Sequence, residues 1–528
     1  MSPPRAVRYA PRVSTPALPR RAQRLNDLGD RAFDLLVVGG GITGAGIARD
    51  AARRGLAVAL VERDDFASGT SSRSSRLVHG GVRYLEHGYL HLVFEASRER
   101  RRLLALAPHL VHPLRFTWPV YRGARVPRWK LAAGLTLYDV LALFRNVGRH
   151  RRLDAPGVLA LEPALARADL KGGAAYWDAA TNDSRLTLAN VLDATYAGAT
   201  VLNHADVERL TFAGGAGSAV TGAVVRDRIG GGEVEVRARL VVNAAGPWTD
   251  EITRMEGGDA PAAVRGTKGV HITVPAERVG NAGAVTMLSP DDGRVMFTLP
   301  SGTHTIIGTT DTRTAEHPHE VRAARSDVRY LLAACNRFFP EARLTEDDVV
   351  SAWAGIRPLV ARQKGDDPAS ASREHSIRLS ASRVLTITGG KLTTYREMAE
   401  QCVDRALRVL GARARPCDTD RAPLPGERAA EAADDRRLVP ELPWREVDVD
   451  HAVRAELAET VADVLVRRTT LAFERRDQGR SLAPQVAARM GNILRWTDAG
   501  IAHAVAEYER EVARLFAITD DVAGSASH

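Results

Sequence analysis

Three glycines at fixed spacing, Gly39-x-Gly41-x-x-Gly44, follow directly on the apolar run at residues 33–38 (FDLLVV). They are the first residues whose pattern could do chemistry. In this setting the first glycine permits a tight turn, the second lets backbone approach a pyrophosphate, and the third lets a helix pack closely on a strand. The helix that follows, at 45–52, offers free N–H groups and a partial positive charge to phosphates at its N-terminus. Glu62 ends the next apolar run, residues 57–61 (AVALV), where a carboxylate can accept hydrogen bonds from ribose hydroxyls. These residues point to a bound dinucleotide, but the glycines alone do not choose between FAD and NAD. Just beyond, residues 69–75 (GTSSRSS) supply hydroxyls and backbone donors, and Gly80-Gly81 follows.

The elements that must position these residues are readable from the same stretch. A strand at 33–38, a helix at 45–52 stopped by Gly55, and a strand at 57–61 make a βαβ unit. Two later apolar runs behave like further strands of that layer. Residues 239–242 (RLVV) run into Asn243-Ala244-Ala245-Gly246-Pro247-Trp248, and residues 384–388 (VLTIT) deliver Gly389-Gly390-Lys391 before a helix at 393–410. Between them, alternating stretches at 269–274, 295–299, 305–308 and 349–359 predict an inserted antiparallel sheet. Apolar spacing of helical period marks residues 450–515 as a separate, all-helical C-terminal domain.

The expected fold class is therefore α/β: a Rossmann-like dinucleotide-binding domain with an inserted antiparallel-sheet domain, plus an all-α C-terminal domain. The expected division is a flexible N-terminal extension over 1–30 and an α/β region over 31–410. A linker over 411–430 and the helical domain over 431–528 complete it. Within 31–410 the nucleotide domain takes about 31–115, 185–255 and 345–410, and the insertions take about 116–184 and 256–344.

Composition narrows the partners. Lys+Arg 73 against Asp+Glu 64 gives +9, which suits an anionic substrate or an acidic surface. The basic residues are scattered and aromatic residues make only 5%, so no nucleic-acid platform is expected. Cys335, Cys402 and Cys417 form no C-x-x-C pair and are expected as free thiols in a reducing compartment. No H-E-x-x-H and no Cys/His cluster is present, so no metal is expected, and His317-Pro318-His319 reads as a loop with no ligand role. No run reaches the roughly 18–20 apolar residues that a membrane span needs.

The run at residues 71–86 (SSRSSRLVHGGVRYLE) resembles the flavin-dependent glycerol-3-phosphate dehydrogenases, members of the D-amino-acid-oxidase-like flavoprotein superfamily. The resemblance continues in family order through NAAGPW (243–248), RGTKGVHI (265–272), GTTD (308–311), AGIRPL (354–359), SREH (372–375) and GGKLTTYR (389–396). It covers roughly residues 33–400 and extends to DVLVRRTTLAF (463–473), where relatives commonly carry Arg in place of Thr470.

The resemblance implies non-covalent FAD, held by Gly39, Gly41, Ile42, Thr43, Gly44, Glu62 and Arg63 in the first βαβ unit. Thr70, Ser71, Ser72, Ser75, His79, Gly80 and Gly81 are implied from the run after it. Val207, Ala245, Gly246, Trp248, Gly390, Leu392 and Thr393 are implied from later segments. It also implies a substrate, glycerol 3-phosphate, ringed by Arg83, Tyr84, His271, Arg357, Arg373 and Lys391, with His271, Arg357 and Lys391 as the catalytic set.

Chemistry agrees with those types. A phosphate dianion is best matched by guanidinium groups. Arg357 sits in an apolar, turn-like setting that requires either a bound anion or an internal acid partner, and the resemblance favours the anion. Lys391 is placed to offset negative charge on a reduced flavin. A base near neutral pH is most naturally histidine, so His271 is the candidate and His79 its competitor, while a core histidine bonded to backbone is the alternative for His271.

Electron delivery to a membrane quinone is also implied, with peripheral attachment to the inner face of the cell membrane and an anionic lipid surface as partner. Residues 125–152 have basic flanks around an apolar middle containing Trp129, Leu131, Leu135 and Tyr138, which fits an interfacial helix or, equally, a buried one. A homodimer contact is one role open to the C-terminal helices. An oxidase returning electrons to oxygen and a non-catalytic basic flavoprotein are the rival readings.

Overall fold

The computed structural model describes residues 18–215, 217–257, 264–289, 292–360, 374–426 and 436–521. It contains two large sheets whose strands are drawn alternately from along the chain. The first is built on β1 (Ala32–Val38), α2 (Ile42–Arg53) and β2 (Val58–Val61), preceded by α1 (Arg21–Asp30). Its strands run in the order 375–379, 384–389, 233–243, β1, β2, 200–202, and β1 pairs in parallel with both β2 and 233–243. Strand 384–389 continues the parallel set. β2 is fully buried and β1 nearly so, matching the uninterrupted apolar runs expected of parallel strands covered on both faces. The register aligns Val38 with Val61 and with Asn243, so the turns leaving these strands converge on one edge.

The second sheet has ten strands, mostly antiparallel, with 264–275 pairing along its length with 351–360. Strand 351–360 and the paired strands 111–121 and 170–181 all belong to this sheet. Residues 345–360 and the end of 31–115 thus contribute strands outside the nucleotide layer to which the sequence division gave them. The reason lies in pairing: a strand's sheet is set by its partner, and Thr267 faces Arg357 across the ladder.

Two further expectations change. Residues 21–30 of the supposed flexible extension form a helix with Arg24 and Leu28 buried, and Arg24 reaches Glu459 at 3.0 Å. Residues 1–17 lie outside the described residues.

The C-terminal region is helical over 446–455, 471–474, 483–494 and 498–516, with a π-turn at 463–468, as expected, and it is tied to the oxidoreductase part. Ile518–Thr519 pairs in parallel with Ala323–Ala324 of the oxidoreductase part. Arg467 and Arg468 both ion-pair with the buried Asp65, and Arg185 holds Glu456 in a bidentate pair at 2.5–2.6 Å. Removing one member of such a buried pair typically costs about 3–5 kcal/mol. The segment at 411–426 is likewise docked rather than loose, since Arg49 bonds the carbonyl of Ala422 at 2.7 Å and Leu424 is buried.

Candidate active site

Two cavities, each about 1100 Å³ counting the part open to solvent, lie where the strand ends of the first sheet meet one face of the second. The first follows from the glycine turn. Gly39 has φ +109°, and a Cβ there would sit 2.6 Å from the Ala244 carbonyl oxygen. A Cβ on Gly44 would lie 1.9 Å from the Gly39 carbonyl oxygen, so helix and strand touch through backbone alone. The result is a cradle with no side chain between it and a ligand.

Gly39, Gly41, Ile42, Thr43, Glu62 and Arg63 line this cavity from the βαβ unit, with Thr70 and Ser71 beside them. Val207, Ala245, Gly246, Trp248, Gly390, Lys391 and Leu392 complete the sequence-predicted set that lines it. Gly44 acts from behind, through packing. Ser72 and Thr393 do not line it; Thr393 Oγ1 instead bridges the backbone N–H and carbonyl of His79, both at 3.1 Å. Asp206, Met255 and Pro358 line it and were not anticipated. Asp206 and Met255 stand in segments without a recognisable motif, whereas Pro358 lies in AGIRPL, where only Arg357 was singled out.

Glu62 is half-buried at the cavity wall. Its carboxylate accepts from the Gly40 N–H at 2.6 Å and the Asp64 N–H at 2.9 Å, while burial and the charge of Asp64 push it up to about 7. The Trp248 indole N–H is buried with no hydrogen-bond partner among the described residues. A backbone cradle at a helix N-terminus, a strand-end carboxylate and an unpaired indole donor fit a flavin dinucleotide.

The second cavity is walled by aromatic side chains of the second sheet, including Phe116, Trp118, Tyr176 and Phe297. Ser75, His79 and Gly81, which the sequence reading gave to the cofactor, line this cavity instead, and Gly80 donates its N–H to Asp178 in the wall at 3.0 Å. The two cavities share a border. Arg357 faces the second and Pro358 the first, as alternation along a strand requires. Lys391 lines the first, and its Nζ stands 3.9 Å from the ring centroid of Tyr84, which lines the second.

Arg357 has an internal acid partner. Its Nη1 donates to Asp311 at 2.9 Å and its Nη2 to Thr309 Oγ1 at 3.0 Å. The expectation that an anion rather than an acid satisfies it is corrected to that extent. Arg294, which nothing in the sequence singled out, lines the same cavity and donates to the Asp311 carbonyl at 2.8 Å. Two guanidinium groups thus converge on Asp311, one on its carboxylate and one on its backbone carbonyl. Arg373 lies outside the described residues, and Arg83 lies in the turn Val82–His87 with its side chain outside them.

His271 is 2% exposed and stacks on Trp353 with centroids 5.4 Å apart. It does not line the cavity. Its Nε2 is 2.8 Å from the hydroxyl of Ser75, which does. Burial, then the charges of Arg357 and Arg76, push its imidazole down to about 3, so it is neutral at ordinary pH. The alternative of a backbone-bonded core histidine does not hold, because the ring's partner is a side-chain hydroxyl.

Comparison with known proteins agrees with this geometry. Residues 34–396 match the family described as FAD dependent oxidoreductase, and residues 421–501 match the C-terminal domain of alpha-glycerophosphate oxidase. The chain is 38% identical, over 93% of its own length and 90% of the relative's, to glycerol-3-phosphate dehydrogenase 2 of Mycobacterium bovis. It is 36% identical to the mitochondrial glycerol-3-phosphate dehydrogenase of Mesocricetus auratus, over 91% of this chain and 73% of that one. Among solved structures, the glycerol-3-phosphate dehydrogenase from Bacillus halodurans complexed with FAD is similar over 94% of this chain and 97% of its own, with TM-score 0.76 and 31% identity. With a flavin-shaped cradle in its first cavity and this likeness along nearly its whole length, the chain belongs to the FAD-dependent oxidoreductases, in the glycerol-3-phosphate dehydrogenase family.

Proposed function

We propose that this chain oxidises glycerol 3-phosphate at C2 to dihydroxyacetone phosphate and delivers the electrons to a quinone in a membrane it touches from one side, the inner face of the cell membrane. The observation that carries the substrate reading is the pair of guanidinium groups, Arg294 and Arg357, in a cavity that borders the dinucleotide cavity at Lys391 and Tyr84. Bound FAD supplies the acceptor for the C2 hydride. Arg357 and Arg294 hold the phosphate and leave the carbon chain pointing toward the Lys391 border. Lys391 offsets the negative charge that accumulates there.

The C2 hydroxyl must lose a proton. Ser75 Oγ faces the cavity and His271 Nε2 stands behind it at 2.8 Å, so the proton passes to Ser75 as the serine proton passes to His271. A phosphate dianion on Arg357 cancels one of the two charges that depress His271, which raises its basicity only when substrate is bound. His79, which lines the same cavity, is the competing base. Anaerobic glycerol 3-phosphate should bleach the flavin absorbance of the purified protein. A spectrum unchanged by substrate would reject the enzymatic reading and leave a binding flavoprotein.

The membrane reading rests on the segment at 125–152, which has one buried face and one exposed apolar face. On helix Arg128–Leu141, Leu131, Leu135 and Tyr138 are buried in the core, which corrects their assignment to a lipid-facing side. Trp129 is 73% exposed, and Leu137, Val140, Leu143, Phe144 and Val147 are also exposed, with Arg145, Arg149, Arg151 and Arg152 around them. The buried Asp139 holds His150 and Asn146 at 2.7 Å each and so fixes the loop that presents Phe144. No helix of the described residues is long and apolar enough to cross a membrane.

Changing Trp129, Leu143 and Phe144 together to Glu should reduce sedimentation with anionic vesicles by at least about tenfold, since burying one large apolar side chain contributes roughly 1.5–3 kcal/mol. Wild-type sedimentation of that variant would remove this surface from contention. An oxidase is the second reading, favoured by the match of residues 421–501 to the C-terminal domain of an alpha-glycerophosphate oxidase. Reoxidation of the bleached enzyme by a short-chain quinone, faster than by oxygen and without stoichiometric peroxide, supports the dehydrogenase. The opposite ratio supports the oxidase.

A further inference from the structure

We propose that the loop between strands Thr312–Arg313 and Ala323–Ala324, through His317 and His319, is a clasp that retains FAD by holding Trp248 and Glu251 against the Glu62 end of the dinucleotide cavity. It rests on the assignment of that cavity to FAD. Both histidines stand outside the cavity lining, while Arg63, Trp248 and Glu251 are part of it.

The contacts form a closed set. Arg63 lies over one side of the Trp248 ring, with its guanidinium carbon 5.1 Å from the centroid. The His319 ring is 5.2 Å from Trp248, and His317 stacks on His319 at 5.8 Å with 13° between planes. His317 Nε2 is 2.9 Å from one oxygen of Glu251, and Arg63 donates to the other at 3.2 Å. Burial, with Arg63 and Arg514 close by, leaves His319 neutral, and Asp64 stands 3.9 Å from its Nε2. A guanidinium and an imidazole therefore grip the indole, and one carboxylate ties both grips together.

A wall built this way has few other constraints. Trp248 lies in the short turn Gly246–Trp248, and its indole N–H has no protein partner among the described residues. Apart from the Gly69 backbone, against which the ring edge packs, its orientation depends on Arg63 and on the loop. A ligand leaving from the Glu62 end must displace the indole and break the His317–Glu251 contact. The clasp acts on dissociation, so it changes how long the cofactor stays and leaves the chemistry at Lys391 untouched.

The test uses the flavin-loaded full chain. His317→Ala and His319→Ala, diluted into buffer, should release free flavin fluorescence about five- to tenfold faster than wild type. His317→Gln keeps an N–H donor for Glu251 and should release near the wild-type rate. KM for glycerol 3-phosphate and the unfolding midpoint of the flavin-free protein should not move. Wild-type release from both alanine variants overturns the clasp. So does faster release that Gln fails to rescue and that comes with a matching drop in flavin-free stability, because that pattern belongs to loop packing alone. A wild-type protein that neither carries nor takes up flavin overturns the cofactor assignment, and the clasp with it.

Discussion

Gly44→Val protein should purify colourless, folded and inactive. A Cβ at this position would sit 1.9 Å from the Gly39 carbonyl oxygen and 3.1 Å from its carbon, both backbone atoms that cannot swing aside. The overlap is relieved only by lifting the start of α2 away from β1. That movement takes the helix N-terminus and the Gly41 turn away from the phosphates they face. Overpacking of this kind typically costs about 1–3 kcal/mol in stability, which a chain of this size survives. The loss to binding is larger, because the cradle works by close backbone approach. Flavin content below about a tenth of wild type, with far-UV dichroism retained, is the expected result. A fully yellow Gly44→Val enzyme would mean that the dinucleotide is held elsewhere.

Arg357→Ala should lose affinity for glycerol 3-phosphate far more than it loses maximal rate. Deleting one side of a buried, hydrogen-bonded charge contact costs about 2–5 kcal/mol, or roughly thirty- to several-thousand-fold in kcat/KM. Part of that cost arises before substrate enters, since the nearly buried Asp311 carboxylate keeps its charge and loses the Arg357 Nη1 donor. Arg357→Lys should recover little, because an ammonium cannot serve Asp311, Thr309 and a phosphate in the fixed directions of a guanidinium. The informative control is glycerol. Discrimination between glycerol 3-phosphate and glycerol should collapse in Arg357→Ala, because what is removed recognises phosphate alone. Undiminished discrimination would move the phosphate away from Arg357 and toward Arg294 or another cation.

The cofactor cavity was legible in the sequence because most of its parts are consecutive. Gly39 to Gly44, Glu62 with Arg63, Thr70 with Ser71, and Ala245 to Trp248 each form a short run at a strand end, and parallel pairing brings such ends to one edge. The substrate cavity was less legible because register decides it. Arg357 was found, but its acid partner Asp311 stands 46 positions away, in the connection between two other strands. Arg294 announces itself by no motif, and only the strand order puts it opposite Arg357.

His271 illustrates a different limit. Alternation says that its side chain leaves the strand opposite to its neighbours, but it cannot say that Ser75 will stand between it and the cavity. Helix α1 was hidden by composition. Its basic residues read as solvated, whereas Arg24 is buried against Glu459, which no local pattern around residue 24 could reveal. The same distance effect concealed the attachment of the C-terminal helices, whose arginines find their acid about 400 residues upstream.

That attachment has a consequence for biosynthesis. Asp65 stands three positions beyond Glu62 in the wall of the dinucleotide cavity, and it waits for Arg467 and Arg468. A ribosome that has finished β1, α2 and β2 has made the glycine turn but not the charges that neutralise the acid next to it. Flavin loading should therefore follow the synthesis of Arg467 and Arg468, and translation products terminated before them should remain empty.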